Sequence, residues 1–119
     1  MHDHEQMKGV QLPRAEIIAR LNDLLRQHGE GGIVLVTRGV MGLPGFDALE
    51  LTKALANYQA FDRDNNPHGE RDFGDLTLWG HDLLFKIDYY DNELKFGTDD
   101  PADAEITRRV LTVMLAADW

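Results

Sequence analysis

The sequence predicts an α+β fold: a small, mainly antiparallel sheet packed against helices, in the order α-β-α-β-β-β-α. Three observations carry this reading. Apolar residues after Pro13 recur at three- and four-residue spacing, as on a helix. The run Ile33-Val34-Leu35-Val36 is short, unbroken and mostly β-branched, as in a buried strand. Residues 84–90 alternate between apolar and polar, which is the period of a half-buried strand. The chain has 119 residues, which suits one domain over 12–119. Residues 1–11 lack periodicity and read as a flexible arm, where His2 and His4 are better taken as part of a tail than as metal ligands.

Each element has its own signal. Pro13 opens the first helix, whose stripe is Ile17, Leu21, Leu24 and His28 with Ile18 and Leu25 beside them, and Gly29 supplies a stop. The strand at 33–36 is expected at the centre of the sheet, covered on both faces. Gly39 to Gly45 reads as a glycine-shaped turn and lacks the Gly-Lys-Ser/Thr ending of a phosphate loop. Phe46 to Tyr58 reads as a second helix with Leu51, Leu55 and Tyr58 inward. Three strands are expected at Phe73–Trp79, Leu84–Tyr90 and Leu94–Phe96, joined at Gly80-His81-Asp82 and Asp91-Asn92-Glu93. Their core face takes Leu76, Leu78, Phe85, Ile87, Tyr89, Leu94 and Phe96. A last helix is expected from Pro101 onward, capped by Asp100 or Asp103, with Ile106, Val110, Val113, Met114 and Ala117 as its stripe.

Composition excludes several classes. There is no cysteine, hence no disulfide framework, thiolate metal site or cysteine nucleophile. No apolar run approaches a membrane span, and MHDHEQMKGV does not read as a secretory signal, so a cytoplasmic protein is expected. The net charge is −9, which makes direct binding to nucleic-acid phosphates unfavourable. That charge is uneven. Residues 1–59 carry 7 acids and 6 bases, whereas residues 60–119 carry 14 acids and 6 bases, a net of −8. Such a field steers basic partners, although a solvated surface also accounts for it.

The segment from Asp62 to Asp72 is the chemically dense place. Asp62, Asp64 and Asn66 have the 1, 3, 5 spacing of a calcium loop, but Pro67 replaces the turn glycine and Phe73 the bidentate glutamate. If the chain is an enzyme, His68 is the base or metal ligand and Glu70 or Asp72 orients it, with only His28 and His81 available as further histidine ligands in the folded part. The structural reading is preferred: Asn and Asp side chains bond neighbouring backbone amides, and Pro67 and Gly69 shape turns. No pattern asks for a cofactor or a metal. On the sheet face opposite the core, Asp75, Thr77, Trp79, Lys86, Asp88 and Tyr90 would stand together. There Trp79 and Tyr90 are either exposed anchors or covered by helices.

The strings DNNPHGERDFG (64–74), KIDYYD (86–91) and TRRVLTVMLA (107–116) resemble an uncharacterised proteobacterial domain-of-unknown-function family, and VLVTRGV (34–40) resembles its first strand. The resemblance spans roughly residues 15–118. The family pattern favours a second histidine where this chain has Arg71, and a tyrosine or phenylalanine at Trp119. It implies carriage on plasmids and integrated elements near anti-restriction genes, and it assigns no catalytic residue. Charge and resemblance together lead to one expected function: a small acidic, non-enzymatic inhibitor of the anti-CRISPR or anti-restriction kind. It would occupy a basic, nucleic-acid-binding surface of a host defence complex. The expected partner-binding residues are Asp64, His68, Glu70, Asp72, Trp79, Asp88, Tyr90, Asp99, Asp100 and Asp103. The alternative is a small metal-dependent or acid–base hydrolase centred on His68.

Overall fold

Helix α1 runs Arg14–His28, and a computed structural model describes it and the rest of residues 12–119. The arm expected over 1–11, with His2 and His4, lies outside the described residues. The helix starts where Pro13 has no amide hydrogen to lose, and the Pro13 carbonyl accepts from Glu16 and Ile17. It stops at Gly29, whose φ of +71° lets its amide turn back to the Leu25 carbonyl. Strand β1 is Gly32–Val36, followed by a one-turn helix α2, Arg38–Met41. Helix α3, Ala48–Ala56, is capped by the Asp47 carboxylate, which accepts from the amides of Leu49 and Glu50. Strands β2 (Phe73–Leu78), β3 (His81–Tyr90) and β4 (Arg108–Leu115) follow, and a 3₁₀ turn over Ala116–Asp118 closes the order. No described helix is long and apolar enough to cross a membrane.

The four strands lie in the order β1-β4-β3-β2. β2–β3 and β3–β4 are antiparallel and β1–β4 is parallel, so the α+β class with a mainly antiparallel sheet stands. The element order differs from the sequence expectation at its end. The segment expected as the last helix is β4, one of the two inner strands. Its side chains are buried on both faces: Leu111 and Val113 toward the helices, Val110 and Met114 away from them. An apolar run covered on both sides has no period to distinguish strand from helix, and its β-branched Val110, Thr112 and Val113 favour the strand. Asp100 and Asp103 therefore cap turns and no helix: they accept from the amides of Ala102 and Glu105.

That one reassignment displaces others. β4 takes an inner place, so β1 lies at the edge of the sheet, with Val34 and Leu35 exposed. Leu94–Phe96 is no strand. The Asp91 carboxylate gathers the amides of Glu93 and Lys95 into a tight loop, leaving Phe96 73% exposed instead of in the core. The β2–β3 turn is the two-residue Trp79-Gly80, both with positive φ (54° and 77°), as a hairpin of this twist requires. It ends β2 at Leu78 and brings the Trp79 ring onto the helix side of the sheet, edge-on to Phe46 at 5.3 Å. Trp79 is thus not an exposed anchor.

The core lies between the helices and one sheet face: Leu25, Val40, Leu51, Leu55 and Tyr58 against Leu83, Phe85, Ile87, Leu111 and Val113. Tyr58 packs edge-on to both Phe61 and Phe85. Its ring has room only because residue 74 is glycine, where a Cβ would stand 2.6 Å from Tyr58 and Phe85 atoms. Gly74→Ala is expected to cost about 1–3 kcal/mol through overpacking, measured as a lower urea midpoint with an unchanged slope.

Candidate functional site

The dense segment is built onto α1 by a buried polar network. Asn22 is fully buried on the inner side of the helix. Its Nδ2 donates to the Tyr89 hydroxyl at 2.8 Å and to the Glu70 carbonyl at 3.0 Å, and its Oδ1 accepts from Arg109 Nε at 2.7 Å. The Tyr89 hydroxyl donates onward to the Glu70 carboxylate at 2.8 Å. Burial and that carboxylate push the Tyr89 phenol well above its ordinary pKa, so it remains a donor at any physiological pH. Arg109 also donates to the Pro101 carbonyl and lies over the Tyr89 ring. Burial lowers its pKa from a very high value, so the guanidinium stays charged.

A second set of contacts holds the same segment from Asp23, the next residue of α1, and from Glu16 nearer its start. Arg71 forks onto Asp23, with Nε at 3.1 Å and a terminal nitrogen at 2.8 Å, and reaches Glu16 at 3.4 Å. Asp23 also pairs with Arg26, which donates to the carbonyls of Leu55, in the last turn of α3, and Tyr58, just past its end. Arg71 thus has a clamping role of its own at the position where a histidine was the expected family pattern. Its φ of +54° is held by this fork and by its amide, which donates to the Asn66 side chain at 2.8 Å.

Within the loop, Asp62 accepts from the amides of Asp64 and Asn65. Asn65 accepts from the Asp62 amide and donates to the Ala60 carbonyl and the Tyr58 hydroxyl. These are the local side-chain-to-backbone bonds that the composition suggested. Among the described residues, no three His, Asp or Glu side chains are gathered closely enough to hold a metal ion.

The ordered loop forms one wall of a groove of about 370 Å³ on the outer side of the sheet. Asp64, His68 and Asp72 reach it from the loop, Lys86 and Asp88 from β3, and Phe73 and Trp119 form an aromatic floor with ring centroids 5.3 Å apart. A neighbouring concavity shares Asp64 and Phe73 and adds Asp62 and Asp75. Three aspartates therefore line the groove with the two rings, against one ammonium, and Asp62 and Asp75 stand beside Phe73 in the adjoining concavity. Lys86 pairs with Asp88 along the same strand at 2.7 Å. Trp119 is 70% exposed.

The structure brings Asp64, His68, Asp72 and Asp88 together in this groove. It separates them from the Glu70 carboxylate, which Tyr89 engages within the polar network. No hydrogen bond joins His68 to Glu70 or Asp72. Asp99 lies in another concavity with Asp91, Glu93, Phe96 and Ile106, while Asp100 pairs with Arg14 at 2.7 Å. Tyr90 is half-buried at the end of β3, bridged to Gly97. Sequence reasoning missed Phe73 and Trp119 as site residues, because their contact joins distant parts of the chain. It also missed Asn22, whose one visible signal was an amide at the buried spacing of Ile18 and Leu25.

A family model described as a protein of unknown function, DUF3768, matches residues 36–118, from the last residue of β1 into the final 3₁₀ turn. No curated protein and no solved structure matches.

Two outcomes test the site's energetics. Asn22→Leu would leave Arg109 Nε, the Glu70 carbonyl and the Tyr89 hydroxyl short of partners inside the protein. It is expected to lower the unfolding free energy by about 3 kcal/mol in denaturant titrations. Asp72 gives a pH signature. Burial raises its carboxyl pKa above 3.8, with Glu70 and Asp88 adding to the rise and its own backbone amide and His68 opposing it. A raised carboxylate contributes stability below its unfolded pKa and loses it as pH climbs through the folded one. Asp72→Asn is therefore expected to be the more stable protein at neutral pH, with the two melting curves converging as pH falls below 3.8.

Proposed function

The chain belongs to the DUF3768 family of proteins of unknown function, and from that premise we propose that it is a non-enzymatic binding protein whose acidic, aromatic-floored groove takes a basic segment of another protein. The observation that carries this reading is the three aspartates, Asp64, Asp72 and Asp88, that line the groove with Phe73 and Trp119, with Asp62 and Asp75 in the adjoining concavity and a single ammonium among them. A guanidinium fits such a place doubly: it stacks on an exposed indole and forks onto carboxylates. An arginine-bearing surface is thus favoured over a lysine-bearing one. The groove is open and its loop wall is internally bonded, so little ordering is required on binding.

The finer form of the proposal names the partner class. A basic surface that otherwise holds nucleic acid presents arginines at a density that this carboxylate array complements. An inhibitor of a host defence complex would work by occupying that surface. The net −8 of residues 60–119 supports the sign of the interaction and its long-range steering. The hydrolase alternative has less support, because His68 has no hydrogen-bonded orienting carboxylate and Glu70 is engaged by Tyr89.

The test uses a partner isolated by affinity capture, together with an arginine-rich peptide as a defined probe. Binding is expected to weaken steeply with salt and to quench Trp119 fluorescence. Asp64→Lys and Trp119→Ala are each expected to weaken binding by about tenfold or more, Asp64→Lys without moving the melting temperature and Trp119→Ala with only the small drop that loss of its contact with Phe73 brings. Full affinity in both variants would remove the groove from consideration. Loss of binding only with Asp99→Lys would transfer the site to the concavity beside Phe96.

A further inference from the structure

We propose that β1 is the pairing edge of a symmetric dimer, in which the β1 strands of two copies join antiparallel about Val34 and extend the sheet from four strands to eight. This inference rests on a different part of the molecule from the acidic groove and holds whether or not that groove is used.

The edge itself is the first observation. Among the described residues β1 is hydrogen-bonded on one side only, to β4. Its sequence, Gly-Ile-Val-Leu-Val, contains no charge and no proline, the devices by which monomeric proteins blunt an edge strand. Val34 is 42% exposed and Leu35 49%, on opposite faces of the sheet, so both sides of the strand are apolar and open.

The second observation is a cleft beside Val34. In register, Val34 shares the helix-bearing face with Leu111 of β4. Yet the end of α1 and the flank of α3 leave a space of about 280 Å³ over it, with Leu25 and Leu55 among its walls. A further strand added at this edge would place a side chain into that space. Pairing centred on Val34 sets the second copy's Val34 directly across, on the same face and about 5 Å away. Each copy thereby fills the other's cleft. On the outer face, Ile33 meets the second copy's Leu35 and Leu35 meets the second copy's Ile33. Every cross-strand contact is apolar, and the strand is complementary to itself.

Charge selects the occupant. Residues 12–59, which hold β1 and the helices around it, carry five acids and five bases, whereas residues 60–119 carry a net of −8. Two copies therefore meet through their neutral parts with their acidic parts turned outward. An uncharged strand offers no specific attraction to a basic or acidic peptide. In the dimer the order becomes β2-β3-β4-β1 followed by its mirror sequence, so the two acidic grooves, built on β2 and β3, lie at opposite ends of one continuous sheet. A partner with repeated basic sites would then be held twice.

Sedimentation equilibrium on the whole chain tests this. The expected mass is twice the 13.5 kDa of the chain across the micromolar range, and Leu35→Lys is expected to halve it with an unchanged far-UV spectrum. Register is tested by oxidation, since the chain has no cysteine of its own. Val34→Cys is expected to cross-link two copies. Leu35→Cys is expected not to, because the two residues 35 lie diagonally, roughly 7–8 Å apart, beyond disulfide reach. A monomer throughout that range, a dimer that survives Leu35→Lys, or equal cross-linking of both cysteine variants would each overturn the proposal.

Discussion

One buried amide holds the parts of this molecule in their relative places. Asn22 uses all three of its hydrogen bonds on groups from three regions: Arg109 of β4, Tyr89 of β3 and the Glu70 carbonyl of the loop. Apolar packing alone would let a helix slide or rotate over a sheet at modest cost, because hydrophobic contact is not directional. A buried amide and a buried guanidinium remove that freedom, since any shift leaves polar groups without partners in a dry interior. The neighbouring Asp23 and Arg26 extend the same constraint to Arg71 and to the end of α3.

The groove depends on that arrangement without containing it. Its loop wall is fixed from behind by Glu70 and Arg71, whose side chains face α1, while Asp64, His68 and Asp72 of the same segment face outward. Alternating directions along one stretch of chain divide it into an anchoring half and a presenting half. The carboxylates on the outer side repel one another, and burial adds to the strain at Asp72. The stability spent there is compensated on the inner side, which is the usual economy of a binding surface.

How much of this was legible in the sequence follows from what each signal reports. The first helix showed itself in periodicity and in Gly29, although its buried face is Ile18, Asn22 and Leu25, and Leu24 and His28 of the expected stripe are exposed; the turn-forming loop showed itself in its Asn and Asp content, and the half-buried strand β3 in its alternation. Those are local signals. β4 failed because a strand buried on both faces carries no period, and the apolar stripe of Val110, Val113 and Met114 fits a helix equally well. The misplacement of β1 at the sheet centre followed from that, since the inner place was β4's. Trp79 failed for a different reason: a two-residue turn with positive φ moved it to the other face, and turn geometry precedes face assignment. In the site, the individual polar residues were legible, but their division between network and groove was not. The Phe73–Trp119 floor was also out of reach, because 46 positions separate its two rings.

The parallel pairing of β1 with β4 has a kinetic consequence. Ile33 lies beside Val110, 77 residues further along the chain, whereas β2 and β3 are joined by two residues. The hairpin can form by local search, but β1 has no strand to pair with until β4 arrives between it and β3. Closing so long a loop costs entropy that only the finished sheet returns. The joining of β1 to β4 is therefore the pairing with the largest loop-closure cost in the sheet. Until that event an uncharged edge, the stretch of this molecule most able to pair with the wrong chain, stands open on both sides.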